Sequence, residues 1–150
     1  MSRAARVRTT GRGDRASEDQ GIANGRDVLV VEDDVDMAAL VHMIVSDAGY
    51  AVRTAANGAE ALVRVSESMP GMILLDMRMP VMNGWEFARE FVARFGRAAP
   101  IVVITAAENA RARAEEISAD GWLEKPFELE DVVRMVARFL GPKGGDVAVP

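Results

Sequence analysis

The most restrictive feature of this sequence is a set of short, nearly continuous apolar runs, each too short for a helix. Val28-Leu29-Val30-Val31, Met72-Ile73-Leu74-Leu75 and Ile101-Val102-Val103-Ile104 have this form. Such runs read as strands buried on both faces. Ala51–Thr54 and Trp122-Leu123 mark two further short strands. Between them lie stretches with helical spacing. Met37, Leu40, Val41, Ile44 and Ala48 define the first, which stops at Gly49. Ala59, Leu62 and Val63 point inward from a second, opened by Asn57-Gly58. Trp85, Ala88, Phe91, Val92 and Phe95 mark a third. A polar, Ala- and Arg-rich helix is predicted over residues 107–118. The last helix carries Leu129, Val132, Val133, Val136 and Leu140 and stops at Gly141-Pro142. Five strands alternating with five helices on short connections predict an α/β fold. Its parallel sheet is covered on both faces through right-handed crossovers.

At 150 residues the chain forms one domain, with 49% hydrophobic and 27% charged residues. Residues 1–26 hold six Arg against three acids, whereas 27–150 hold twelve basic against twenty acidic groups. The arm 1–26 lacks apolar periodicity and reads as a disordered, inert extension. Residues 27–140 form the folded domain and 141–150 a flexible tail. The acidic body argues against direct nucleic-acid binding and suits a cation site. No run approaches a membrane span and no hydrophobic leader is present, so a cytoplasmic protein without membrane contact is expected. The chain has no cysteine, which removes disulfide and thiolate chemistry.

Parallel strands share one polarity, so the residues that follow them gather at one sheet edge. There the first strand offers Glu32, Asp33 and Asp34, the third Asp76, the fourth Thr105 and the fifth Lys125. Crowded carboxylates repel, and a proton or divalent cation must relieve that. Few oxygen ligands at an exposed edge suit Mg²⁺, which shares its shell with water and phosphate. A nucleophilic carboxylate, a hydroxyl donor and an ammonium complete a set able to form an acyl phosphate on Asp76. Each residue has an ordinary alternative: one of Asp33 and Asp34 caps the next helix, Thr105 ends a strand, and Lys125 is a solvated loop charge. Their coincidence at four strand ends favours the chemistry. His42 lies off the apolar stripe and reads as a surface side chain.

The runs Val30-Val31-Glu32-Asp33-Asp34, Leu74-Leu75-Asp76 through Met82-Asn83-Gly84, Ile104-Thr105-Ala106 and Lys125-Pro126-Phe127 resemble the receiver domain of two-component response regulators, in the family's order. The resemblance covers roughly residues 27–140. It implies a flavodoxin-like sheet of order 2-1-3-4-5, as in stand-alone chemotaxis regulators. It also implies that Asp76 accepts a phosphoryl group from a sensor histidine kinase or a histidine phosphotransfer protein. Mg²⁺ would be held by Glu32 (through water), Asp33, Asp76 and the backbone carbonyl of Arg78. Thr105, Lys125 and the backbone N–H groups of Met77 and Ala106 would bind the phosphoryl group, with the Lys125–Pro126 bond cis. Thr105 and Trp122 would form the switch, Trp122 standing where Tyr or Phe is usual. Arg78 and Ala107 occupy positions that tune phosphoryl lifetime.

On this reading the chain is a single-domain regulator and not an enzyme, although it assists its own phosphorylation and dephosphorylation. Phosphorylation reshapes the face made by the fourth helix, fifth strand and last helix. That face binds an unknown downstream protein, and the chain is a monomer or a weak dimer through it. The alternative is a phosphorylation-independent interaction module with the same fold. A phosphatase with an aspartyl nucleophile fits less well, because Asp76 follows the third strand and Arg78 stands where a second Asp is expected.

Overall fold

The computed structural model describes residues 25–106 and 109–142. Ala107, most of the expected arm and most of the expected tail lie outside the described residues. In chain order the described elements are β1 (Val28–Val31), α1 (Val35–Asp47), β2 (Val52–Ala55), α2 (Gly58–Glu67) and β3 (Met72–Leu75). They are followed by α3 (Gly84–Phe95), β4 (Ile101–Thr105), α4 (Ala110–Glu116), β5 (Gly121–Glu124) and α5 (Leu129–Leu140). The strands pair in parallel in the order β2-β1-β3-β4-β5, as the resemblance implied. Val31 lies level with Ala55 on one side and Leu75 on the other, and Leu75 lies level with Val103.

Side chains alternate across a strand, so each buried run feeds two cores. Leu29, Val31, Ile73, Leu75, Ile101 and Val103 pack with Leu62, Val65, Phe87 and Phe91 on the side of α2, α3 and α4. Val28, Val30, Met72, Leu74, Val102 and Ile104 pack with Val41, Ile44, Val45, Val132 and Val136 on the side of α1 and α5. Phe87, absent from the expected stripe of α3, is fully buried and stacks on Phe91 with ring centroids 5.7 Å apart.

Three residues expected inward face water instead: Leu40 is 41% exposed, Val63 52% and Leu129 54%. A helix turns about 100° per residue, so a one-position error rotates a side chain off a narrow buried face. The inward stripe of α1 is Val41, Ile44 and Val45, and that of α2 is Ala61, Leu62 and Val65. Leu129 begins α5, whose buried line is Val132, Val136 and Leu140.

The helix expected over 107–118 spans only Ala110–Glu116. Asn109 caps it by accepting the Ala112 N–H at 3.1 Å, and the chain beyond turns at Ser118 with φ 55°. Only small side chains, Ala110 and Ala114, are buried from α4.

An unforeseen ion pair joins the start of the sheet to its flank. Arg53 on β2 donates to Asp27 at 2.6 Å and to the carbonyls of Arg64 and Ser68 at the end of α2. The opposite end of β3 is fixed through Gly84, whose N–H donates to the Met77 carbonyl at 2.9 Å. A Cβ at Gly84 would lie 2.8 Å from the Asp76 carbonyl oxygen and 2.7 Å from the Met77 sulfur. Gly84→Ala should therefore push α3 off the β3 turn and cost roughly 1–3 kcal/mol in urea unfolding, the usual range for overpacking.

Candidate functional site

Backbone pairing continues past the strand ends and carries the polar residues with it. The Glu32 N–H donates to the Ala55 carbonyl, the Asp76 N–H to the Val31 carbonyl and the Lys125 N–H to the Thr105 carbonyl, each at 3.0 Å. The backbones of Glu32, Asp76 and Lys125 are thus extensions of the sheet, which makes their positions rigid. Asp34 takes the capping role, accepting the Met37 N–H at 3.0 Å, which leaves Asp33 exposed at the edge.

Glu32, Asp33 and Asp76 converge so that one oxygen from each lies within 4.8 Å of the others. Glu32 and Asp76 are buried. One Asp76 oxygen, Oδ1, accepts the Met77 N–H at 2.8 Å, and the other, Oδ2, lies 3.9 Å from the Lys125 ammonium. Lys125 donates to Glu32 Oε1 at 2.7 Å, bringing the cation between the two buried carboxylates. Its bond to Pro126 is cis, as the resemblance implied. Burial pushes the Glu32 carboxyl up to about 6; the hydrogen bond from Lys125 works against that rise and the nearby Asp76 charge adds to it. Three hard-oxygen donors at this spacing, one of them poorly stabilised as an anion by its surroundings, fit a divalent cation such as Mg²⁺.

Thr105 is buried at the end of β4, beside the strand that leads to Asp76, and Ala106 follows it at the exposed edge. Trp122 on edge strand β5 is 42% exposed, with the Arg111 guanidinium 5.7 Å from its ring centroid. The Arg78 side chain is exposed, and its guanidinium lies 5.8 Å from the ring centroid of Trp85. His42 is exposed, as its position off the apolar stripe predicted. Trp85 reads from spacing alone as a packing residue, although it stands at the half-exposed start of α3, where an indole N–H has access to a partner.

No described helix is long and apolar enough to cross a membrane. Among curated relatives, the chain is 36% identical over 128 residues to the transcriptional regulatory protein PrrA of Mycobacterium tuberculosis. That match covers 84% of this chain and 54% of the relative. It is 32% identical over 135 residues to the transcriptional regulatory protein GltR of Pseudomonas aeruginosa, covering 83% and 55%. The chain therefore spans about half the length of the curated relatives it matches.

Among solved structures, it resembles chemotaxis protein CheY4 of Vibrio cholerae, with 33% identity, a TM-score of 0.69 and coverage of 76% of this chain and 98% of that one. The response regulator TrrA of Thermotoga maritima, solved in complex with Mg²⁺–BeF, is 29% identical with the same TM-score and coverage. A CheY-like receiver from Methanospirillum hungatei, 22% identical with a TM-score of 0.69 and covering 76% and 92%, shares the fold. Residues 28–137 match the model of the response regulator receiver domain, and the chain belongs to that family of two-component signalling domains.

Proposed function

We propose that this chain is a phosphorylation switch in which Asp76 accepts a phosphoryl group from the phosphohistidine of a sensor kinase or phosphotransfer protein. One observation carries the reading: the Met77 N–H fixes one Asp76 oxygen while the other faces the Lys125 ammonium, at the edge where Glu32 and Asp33 gather. In the transfer, the Asp76 oxygen forms a bond to phosphorus as the phosphorus–imidazole bond breaks, and the imidazole leaves. Lys125 has three N–H donors, so it can keep Glu32 while engaging a phosphoryl oxygen on Asp76. The hydroxyl of Thr105 and the N–H of Ala106 take further phosphoryl oxygens, and the Met77 N–H turns to one as its bond to Asp76 Oδ1 is given up. Mg²⁺, held by Glu32 through water, Asp33, Asp76 and the Arg78 carbonyl, would neutralise charge on the phosphoryl oxygens.

The added charge at Asp76 would draw Thr105 inward, with Trp122 following it, and so alter the face formed by α4, β5 and α5 for a downstream protein or a weak dimer. The chain would work in the cytoplasm without direct nucleic-acid contact, turning over no substrate beyond its own phosphoryl group. The relative solved with Mg²⁺–BeF supports this chemistry by similarity.

Incubation with phosphoramidate and Mg²⁺ should label the wild-type chain at a single site. Labelling should vanish in Asp76→Asn and when the cation is chelated. An unlabelled wild-type chain, with the fold intact, would favour the phosphorylation-independent module.

Arg78, two residues beyond Asp76, would shield the phosphoryl group from water, so Arg78→Ala should shorten its half-life at least two-fold in a decay assay.

Glu32 is raised from 4.5 to about 6 in the folded chain, so the fold favours its protonated form. Without added cation, the stabilising contribution of Glu32 is greatest below pH 4.5 and is lost as pH rises through 6. Urea unfolding between pH 4 and 7 should show that slope in the wild type and a flatter one in Glu32→Gln. Mg²⁺ binding should weaken as pH falls below 6, because a proton then competes for the same carboxylate.

A further inference from the structure

Helix α4 has little apolar burial of its own. It is seven residues long and buries only two alanines, so little apolar area fixes its position. Its last residue, Glu116, accepts the Trp85 indole N–H through Oε1 at 2.7 Å and an Arg113 N–H through Oε2 at 2.9 Å. Both carboxylate oxygens are therefore engaged, and the indole bond ties α4 to the start of α3. The ring of the same Trp85 lies under the Arg78 guanidinium at 5.8 Å, within the range of a cation–π contact. Arg78 is two residues beyond Asp76. One side chain thus touches both the loop of the phosphoacceptor and the helix expected to move.

We propose that Trp85 is a positioning residue for the Asp76 switch: its ring holds Arg78 in the resting state, and its N–H holds α4 in that state through Glu116. This rests on the phosphoacceptor reading above. The two contacts support each other, because a cation over the ring withdraws electron density and strengthens the N–H as a donor. A phosphoryl group on Asp76 places about two negative charges near Arg78 and competes with the ring for its guanidinium. Release of Arg78 weakens the indole donor and loosens α4. Equally, loss of the Glu116 bond lowers the cost of the active arrangement, so the chain accepts a phosphoryl group faster.

Three variants separate the two halves. Trp85→Phe keeps an aromatic face for Arg78 but has no N–H, Trp85→Leu loses both, and Glu116→Ala loses the acceptor. In the unphosphorylated chain, Trp85→Phe and Glu116→Ala should each speed amide exchange at residues 113–116 roughly three- to ten-fold. Adding Trp85→Phe to Glu116→Ala should give no further gain, since the indole N–H then has no acceptor left to lose, whatever the Arg113 bond contributes on its own. With phosphoramidate, Trp85→Phe should label several-fold faster with an unchanged phosphoryl half-life. Trp85→Leu should also lengthen the half-life at least two-fold, because the ring no longer competes with the phosphoryl group for Arg78.

Unchanged exchange in Trp85→Phe, or fully additive exchange in the double variant, overturns the tie to α4. A half-life in Trp85→Leu equal to that of the wild type overturns the hold on Arg78. If the wild-type chain takes no label, the phosphoacceptor reading fails and the hold on Arg78 with it, whereas the exchange measurements still decide the tie.

Discussion

The molecule depends on the parallel ladder running one residue past the ends of its strands. The Asp76 amide is still bonded to Val31 and the Lys125 amide to Thr105, so both residues belong to the sheet as much as to the loops that follow. A slip of one residue in these short strands would drag a flanking carboxylate into the core and push an apolar residue out of it, so the register is fixed. The two cores on its faces therefore fix where the carboxylates meet. Stability and site geometry share one cause.

That arrangement holds opposed charges at close range. Glu32 and Asp76 are both buried, and the Lys125 ammonium lies near enough to each to offset their repulsion. Burial is the main reason the Glu32 carboxyl is raised; the Asp76 charge adds to the rise and the Lys125 hydrogen bond opposes it. A buried carboxylate held this way favours whatever brings positive charge. Around it, α4 contributes little apolar burial and is attached through Trp85, Trp122 and their charged partners. With so little apolar burial, α4 would need few contacts broken to take a second position.

Much of the site was legible before any coordinates. Strand polarity follows from alternation with helices, and polarity alone sends Glu32, Asp33, Asp76, Thr105 and Lys125 to one edge. The cap on α1 was narrowed to two adjacent acids, and the fold selected Asp34. Helix faces were less legible. Leu40, Val63 and Leu129 were expected inside by type and spacing, yet face water because the covered stripe is narrow and a short helix offers several near-equivalent stripes. Phe87 illustrates the converse: it lies one position from the chosen stripe and is fully buried.

The sequence by itself determined the order of the elements, the edge at which the polar residues collect and the chemistry that set could perform. These depend on local pattern and on chain direction, both of which are written in the order of residues. Only the tertiary structure decided that Asp33 is spared from capping, that Lys125 reaches both Glu32 and Asp76, and that Trp85 joins Arg78 to Glu116. Those contacts link residues up to 93 positions apart. Their existence depends on distances of a few ångströms set by how helices lie on the sheet, which spacing along a chain does not encode.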